Sequence, residues 1–257
     1  MAQLLRPARK PRQGIEVLCE YVFRPGAQIV ALALAPLRVP PPAVVLAGAA
    51  TGFAAAWQLG SGRLVAAALL LQLKTVLDNA DGQLARMTGR LSALGRYLDS
   101  ESDLVVDAAV CAALGYVTGR WWLGALAFAC LTLVLGVNYN VERLYRREHG
   151  EQAEAMPPAT GLAAVLARVY SLVYAPQDRL VERYAERRLR GVSAAERLAW
   201  HDRATVGIVA NFGLSTQLAV LGVCLAAGSP SAYAWVTLAC VASLVPLALR
   251  RERLIRR

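Results

Sequence analysis

Six apolar stretches, each near the length that crosses a lipid bilayer, constrain this chain more than any other feature. They cover residues 43–59, 62–86, 91–117, 121–145, 205–227 and 230–249. Backbone polar groups in the hydrocarbon region must be hydrogen-bonded inside the protein, so isolated spanning segments of this kind are helices. The chain is 56% hydrophobic, with a mean hydropathy of +0.40, which is typical of a membrane protein. We therefore predict an all-α integral membrane protein with six transmembrane helices.

The remaining segments predict how the chain is divided. Residues 1–40 form a cytoplasmic N-terminus whose 14–37 part is an amphipathic surface helix, ended by the prolines after Val39. The N-terminus lacks the pattern of a signal peptide. Residues 41–257 form the six-helix transmembrane domain. Within it, the long segment 146–204 alternates apolar and charged residues and predicts two amphipathic helices broken near Pro176. This segment either rests on anionic lipid or shapes the entrance to a site.

Positive charge predicts the orientation in the membrane and argues against a nucleic-acid partner. Of 28 Lys and Arg residues, only Arg63 and Arg120 fall in the three turns at one end of the six stretches. Basic residues concentrate on the cytoplasmic side, so both termini and the 146–204 segment are expected there, in a multi-pass protein of the cell membrane. The net charge of +10 does not indicate nucleic-acid binding, because aromatic residues are not interleaved with the basic ones. Five scattered cysteines, with no CxxC pair, favour neither zinc nor a disulfide framework.

Carboxylates lie inside two of the apolar stretches, where burial of a charge is costly. The residues that share one helical face are Asp78, Asp81, Gly82 and Ala85 in the second stretch and Gly95, Asp99 and Asp103 in the third. The 3.6-residue period places the first group within about 100° of arc and lines up the second group at every fourth residue. Four facing carboxylates need cations, and oxygen ligands suit Mg²⁺ or Mn²⁺ better than zinc.

At these positions the sequence resembles the CDP-alcohol phosphotransferases, also called CDP-alcohol phosphatidyltransferases. Their signature is D-x2-D-G-x2-A-R-x8-G-x3-D-x3-D. The eight fixed positions are filled here by Asp78, Asp81, Gly82, Ala85, Arg86, Gly95, Asp99 and Asp103. The motif covers about a tenth of the chain. The resemblance implies a membrane enzyme of six helices, active as a homodimer, with its site facing the cytoplasm. The implied reaction transfers the phosphoalkyl group of a CDP-alcohol to a second alcohol, releases CMP and belongs to phospholipid biosynthesis.

The resemblance also implies roles for the matching residues. It makes Asp78, Asp81, Asp99 and Asp103 the ligands of two Mg²⁺ or Mn²⁺ ions, and Asp103 the general base that activates the acceptor hydroxyl. The expected CDP-alcohol contacts are Asp78, Gly82, Ala85, Arg86 and Gly95. Glu101 points about 200° away from Asp99 and is not expected to be a ligand. Many family members carry a basic residue after the fourth aspartate, where this chain has Leu104.

The identity of the two alcohols stays open at this level. The donor is CDP-diacylglycerol with inositol phosphate, glycerol phosphate or serine as acceptor, or a small CDP-alcohol with a lipid acceptor. Candidate acceptor-binding residues are Lys74, Arg143 and Arg203. Lys74 serves either as a counter-ion to the aspartates or as a phosphate contact. Two alternatives to the enzyme are a transporter with an intramembrane acidic ion site and a catalytically inactive membrane scaffold.

Overall fold

The computed structural model describes residues 13–151 and 158–255, in which no β-strand occurs. A π-helical turn over Cys19–Phe23 leads into the first α-helix. The α-helices in chain order are α1 (Arg24–Leu34), α2 (Pro41–Gly60), α3 (Leu64–Met87), α4 (Ala93–Val117), α5 (Trp121–Glu148), α6 (Leu162–Val173), α7 (Ala175–Arg188), α8 (Ala194–Trp200), α9 (Arg203–Ala210), α10 (Leu214–Ala226) and α11 (Ala232–Leu254). The predicted all-α fold is confirmed.

Several of these helices indicate an integral membrane protein. The stretches long and apolar enough to cross a bilayer are Pro41–Gly60, Trp121–Glu148, Ala194–Ala226 and Ala232–Leu254. Helices α3 and α4 have 24 and 25 residues, which is sufficient length, but they carry the aspartates that lower their hydropathy. Length and composition therefore support four membrane-spanning stretches, and the full set of six stays a prediction.

Helix α2 organises the bundle because it packs against both α3 and α4. Its inward face is made of small residues, which allow close approach between helices. Leucines from α2, α3, α4 and α10, such as Leu59, Leu71, Leu114 and Leu221, fill the main core. Large apolar side chains are exposed on the outside of the bundle, among them Trp57 at 75% and Val223 at 70%. An outer surface of this kind suits lipid rather than water.

The predicted span 205–227 is interrupted rather than continuous. Helix α9 ends at Ala210, and α10 begins at Leu214 after the extended N-cap residue Gly213. Asn211 occupies the break, where its amide donates hydrogen bonds to the backbone carbonyls of Ile15 and Gly207, both at 2.9 Å. An apolar sequence pattern does not reveal this break, because it depends on a contact with the N-terminal segment.

The N-terminal segment is bound to the bundle at two points. The predicted amphipathic helix appears as the π-helical turn and α1, whose Ala27 and Ala31 pack in one cluster with Leu84 of α3. The buried Glu16 carboxylate accepts hydrogen bonds from the backbone N–H and the hydroxyl of Thr216, at 2.9 and 3.0 Å. A carboxylate is favourable at this position because the N-terminus of α10 carries positive partial charge.

The 146–204 segment contains the two predicted amphipathic helices and one that was not predicted. Helices α6 and α7 meet at Tyr174, with Pro176 in the first turn of α7, where proline is tolerated. Residues 152–157 of this segment lie outside the described residues. The unpredicted helix is α8, which begins with a capping box between Ser193 and Glu196. That S-x-x-E spacing was the available sequence signal.

Candidate active site

The aspartates of α3 and α4 are joined deep in the bundle by a lysine. The ammonium group of Lys74, which is completely buried, donates to one carboxylate oxygen of Asp78. The same nitrogen lies 2.6 Å from Oδ1 of Asp103 on α4. A charged lysine is stable at this depth because two carboxylates compensate its burial. Of the two roles left open for Lys74, the structure supports the counter-ion.

Two glycines of α2 make room for this cluster. A Cβ atom added to Gly48 would lie 2.6 Å from Oδ1 of Asp78. A Cβ atom added one turn later, at Gly52, would collide with Val106 and lie 3.1 Å from Cδ of Lys74. These glycines were not among the predicted site residues. Their G-x3-G spacing within an apolar stretch is the signal that could have identified them.

A cavity of about 390 Å³ opens beside the cluster and holds most of the signature. Six of the eight signature residues line it, namely Asp81, Gly82, Ala85, Arg86, Gly95 and Asp99. Asp78 and Asp103 do not line the cavity and lie with Lys74 instead. The volume is in the range of pockets that bind small molecules. The structure thus divides the four aspartates into a cavity pair, Asp81 and Asp99, and a lysine-bound pair, Asp78 and Asp103.

Arginine side chains make up much of the remaining wall. Those that line the cavity are Arg86, Arg90, Arg96, Arg143 and Arg146. They come from α3, α4, α5 and the connection between α3 and α4, so the fold gathers them from separate parts of the chain. Arg146 is paired with Glu142 at 2.6 Å. Of the predicted acceptor-binding residues, Arg143 lies in the wall, whereas Arg203 is exposed at the start of α9 and does not line the cavity.

Tyrosines from the 146–204 segment close one side of the site. Tyr170 of α6 lines the cavity and makes an edge-to-face contact with Tyr97 of α4, with ring centroids 5.6 Å apart. Tyr174 donates a hydrogen bond to the backbone carbonyl of Ser100, at 3.2 Å. Burial, together with a smaller effect of the neighbouring Tyr139 hydroxyl, raises the pKa of Tyr170, so its phenol stays neutral. This segment is therefore part of the wall of the site.

The residue types at the aspartate cluster fit a divalent cation, although its carboxylates are arranged around lysine here. Oδ2 of Asp81 is buried and has no hydrogen-bond partner among the described residues. Asp78, Asp81 and Asp99 each lie close enough to Asp103 to repel its charge. Within residues 13–151 and 158–255, no three His, Cys, Asp or Glu side chains are close enough to form a ready metal site. Carboxylates that repel one another, together with the unpartnered oxygen of Asp81, are donors of the kind that Mg²⁺ and Mn²⁺ bind.

Two further acidic residues of α4 lie outside the cavity lining. Glu101 is buried, and its Oε1 has no hydrogen-bond partner in the described part of the chain. Asp107 is also buried, on the same face as Asp103. Its Oδ1 has no hydrogen-bond partner among the residues described. The charged groups that act on Asp107 are the carboxylate of Asp103, the ammonium of Lys74 and the carboxylate of Asp78.

Comparison with known proteins gives matches that cover only part of each chain. The chain is 44% identical over 80 residues to a bifunctional IPC transferase and DIPP synthase of Thermococcus kodakarensis, covering 30% of this chain and 18% of that protein. It is 47% identical over 55 residues to an archaetidylinositol phosphate synthase of Aeropyrum pernix, covering 21% of this chain and 28% of that protein. The chain thus matches less than a third of the length of these relatives.

A match to a family model covers far more of the chain. The sequence model of the CDP-alcohol phosphatidyltransferases matches residues 38–243, which include helices α2 to α10 and the first half of α11. The matched region also contains the complete signature, the Lys74 cluster and the cavity. Enzymes of this family generally depend on a metal. With both the motif and most of the fold inside the match, the chain belongs to the CDP-alcohol phosphatidyltransferase family and is an enzyme of that family.

Proposed function

We propose that the protein transfers a phosphatidyl-type group from a CDP-linked lipid, such as CDP-diacylglycerol, to an acceptor alcohol that itself carries a phosphate. Transfer between a CDP-alcohol and a second alcohol follows from family membership. The observation that supports a phosphorylated acceptor is the cavity wall, where five arginines accompany the two cavity aspartates. The diphosphate of the donor accounts for some of these cations, and a phosphorylated acceptor accounts for the rest, which a neutral acceptor such as serine or free inositol does not.

The acceptor class is also supported by the chemistry named in the relatives. The matching protein of Aeropyrum pernix is an archaetidylinositol phosphate synthase, whose named product combines an inositol and a phosphate. Guanidinium groups bind phosphate in a bidentate manner and are always charged, which makes arginine the usual residue for such a ligand. We therefore propose inositol phosphate as the acceptor, with glycerol phosphate as the closest competitor.

In the reaction, an oxygen–phosphorus bond forms as another breaks. The acceptor hydroxyl attacks the β-phosphorus, and the bond from that phosphorus to the bridging oxygen breaks, so that CMP leaves with the bonding electrons. We propose that Asp103, which does not line the cavity but whose side chain is 22% exposed beside it, takes the hydroxyl proton. Its Oδ1 lies 2.6 Å from Lys74, an ion pair that keeps the carboxylate charged and oriented before the acceptor arrives. Gly82, Ala85 and Gly95 line the cavity, and their small side chains would leave room for the cytidine phosphate.

Two Mg²⁺ or Mn²⁺ ions bound by Asp78, Asp81, Asp99 and Asp103 would neutralise the diphosphate and stabilise departing CMP. Asp81 and Asp99 already line the cavity in which the diphosphate would lie. Asp78 and Asp103 are bound to Lys74, so the lysine would share them with the cations. Arg86, beside Gly82, would contact the diphosphate from the same helix.

Acceptor competition tests the proposal. Purified protein is incubated with Mg²⁺ and labelled CDP-diacylglycerol, and is offered inositol 1-phosphate, glycerol 3-phosphate, serine or free inositol in parallel. We expect a labelled phospholipid and CMP with a phosphorylated acceptor, and at least 10-fold less product with serine or inositol, because a neutral ligand offers the cavity arginines no phosphate to bind. Preferential use of serine or free inositol would overturn the proposal. Absence of CMP release with every acceptor and every CDP-alcohol would favour the transporter or scaffold.

A further inference from the structure

Helix α7 of the 146–204 segment is connected to the cavity through one buried amide. Asn140 of α5 is completely buried and donates from Nδ2 to Oδ1 of Asp178 on α7, at 2.7 Å. Its Oδ1 accepts a hydrogen bond from Nη2 of Arg143, at 3.0 Å. Arg143 lines the cavity. A continuous series of hydrogen bonds therefore runs from a carboxylate of α7, through α5, to a cation in the wall of the site.

The direction of this amide is determined by its surroundings. Nδ2 of Asn140 has a second acceptor, the backbone carbonyl of Gly136, at 2.9 Å. Both amide hydrogens thus face oxygens and the amide oxygen faces a guanidinium. A flipped amide would place oxygen against the Asp178 carboxylate and nitrogen against Arg143, losing all three hydrogen bonds. A buried polar group satisfied in only one orientation fixes the geometry of its neighbours.

Close packing between α5 and α7 keeps the series together. A Cβ atom added to Gly136 would lie 2.6 Å from Oε1 of Gln177, so α7 begins directly against the backbone of α5. One turn along α7, Glu182 lies 3.7 Å from Arg143 and 2.5 Å from Arg147. Glu182 is thus a competing partner for Arg143. Loss of the contact with Asn140 would allow Arg143 to turn toward Glu182 and away from the cavity.

We propose that Asn140 and Asp178 are positioning residues that hold Arg143 toward the phosphate of the acceptor, so that α7 sets the affinity for that substrate. The inference rests on the proposed function, because it assigns to Arg143 the acceptor phosphate. Nε of Arg143 is buried and has no hydrogen-bond partner among the described residues, which leaves a donor for a ligand. The Asp178 carboxylate polarises the amide and strengthens its bond to the guanidinium.

Steady-state kinetics with three variants of the full chain test the proposal. In Asp178→Ala and Asn140→Leu, the KM for inositol 1-phosphate should rise about 10-fold, which is the effect of one lost hydrogen bond to a charged group. The kcat and the KM for CDP-diacylglycerol should stay within about twofold of the parent values. Asp178→Asn retains an oxygen that can accept from Asn140, and its KM should rise less than that of Asp178→Ala.

A matched control and a substitution of Arg143 itself distinguish failure of the inference from failure of the proposed function. Glu186→Ala removes an exposed carboxylate from the same helix and should leave every constant unchanged. Arg143→Gln should raise the acceptor KM at least as much as Asp178→Ala. If Arg143→Gln raises it while Asp178→Ala and Asn140→Leu do not, the inference is overturned and the proposed function stands. If Arg143→Gln leaves the KM for a phosphorylated acceptor unchanged, the role of Arg143 in the proposed function fails, and the inference fails with it.

A general loss of structure is the remaining explanation for impaired variants. The melting temperatures of Asp178→Ala and Asn140→Leu in detergent should fall somewhat below that of Glu186→Ala, because each variant leaves a buried polar group without its partner. Their Mn²⁺ affinities by titration should match that of Glu186→Ala. A parallel fall in melting temperature, kcat and affinity for both substrates would mean that Asn140 and Asp178 only support the fold, and would overturn the inference. In Asn140→Leu combined with Glu182→Gln, removal of the competing carboxylate should restore part of the acceptor affinity.

Discussion

Each aspartate of the signature has a distinct neighbourhood, and this predicts distinct consequences of substitution. Asp78→Asn, Asp81→Asn and Asp99→Asn should each abolish activity together with Mn²⁺ binding, because an amide oxygen carries no charge to hold the cation. Asp103→Asn should retain part of its affinity for the cation and the CDP-alcohol, whereas turnover should fall about 10²-fold for a lost general base. Metal titration and turnover in one detergent provide the measurement.

Glu101→Gln is the control for this series. Glu101 lies on α4 between Asp99 and Asp103 but does not line the cavity, so the substitution should leave turnover and Mn²⁺ binding unchanged. An inactive Glu101→Gln, or a fully active Asp103→Asn, would refute this assignment of roles.

The position of Lys74 between two carboxylates predicts that thermal stability depends on the bound divalent cation when this lysine is removed. Lys74→Met leaves the carboxylates of Asp78 and Asp103 facing each other without a counter-ion, so the metal-free protein should melt at a lower temperature. A bound cation replaces the missing charge, and the increase in melting temperature on adding Mn²⁺ should be larger than in the parent protein. Gln217→Met, which removes another buried polar side chain, should show the parental increase. An equal or smaller increase in Lys74→Met would contradict the counter-ion role.

At the scale of the elements, the close approach of α2 to α3 depends on glycine. In Gly48→Ala, the new methyl group must displace the Asp78 carboxylate, which lies 2.6 Å from the added Cβ. We expect activity to fall at least 10-fold, with a loss of stability of about 1–3 kcal/mol for an overpacked core position. The matched control is Gly60→Ala in the same helix, whose nearest neighbour lies 4.0 Å away. The prediction is tested by measuring turnover and thermal melting of both variants. An active, stable Gly48→Ala would disprove the steric argument.

The elements also show what a single sequence could predict. The limits of α3 and α4 were predicted within about two residues, since apolar length and helical spacing are local properties. The break before α10 was not predicted, because it depends on Asn211 and Glu16, which are far apart in the sequence. The signature identified the aspartates but not their division into a cavity pair and a lysine-bound pair. That division depends on how α2, α3 and α4 pack, and the arginine wall depends on a tertiary arrangement of the same kind.

For the whole molecule, the orientation in the membrane stays a prediction from the distribution of basic residues. Single cysteines replacing Ser61 and Ser229, both exposed in turns, should react with an impermeant thiol reagent added outside intact cells. A cysteine replacing Thr160, in the 146–204 segment, should react only after the membrane is opened. The five native cysteines are replaced by serine beforehand to remove background labelling. Labelling at position 160 from outside would show that the predicted orientation is wrong. A cytosolic nucleotide substrate would then have no access to the cavity.

Assembly into a homodimer stays a prediction from the resemblance. Exposed apolar side chains cover much of the outer surface of the bundle, and a lipid-facing surface and a dimer interface share this composition.

The hydrogen bonds between Glu16 and Thr216 join residues 200 positions apart and so bear on the order in which the protein is completed. The ribosome makes the segment around Glu16 before helices α2 to α11, and α1 can rest on α3 as soon as that helix exists. The Glu16 carboxylate, however, has to wait for the N-terminus of α10, which is made about 200 residues later. A segment made before the bundle therefore reaches its final position only when α10 is present, and a nascent chain that stops before α10 cannot close around it.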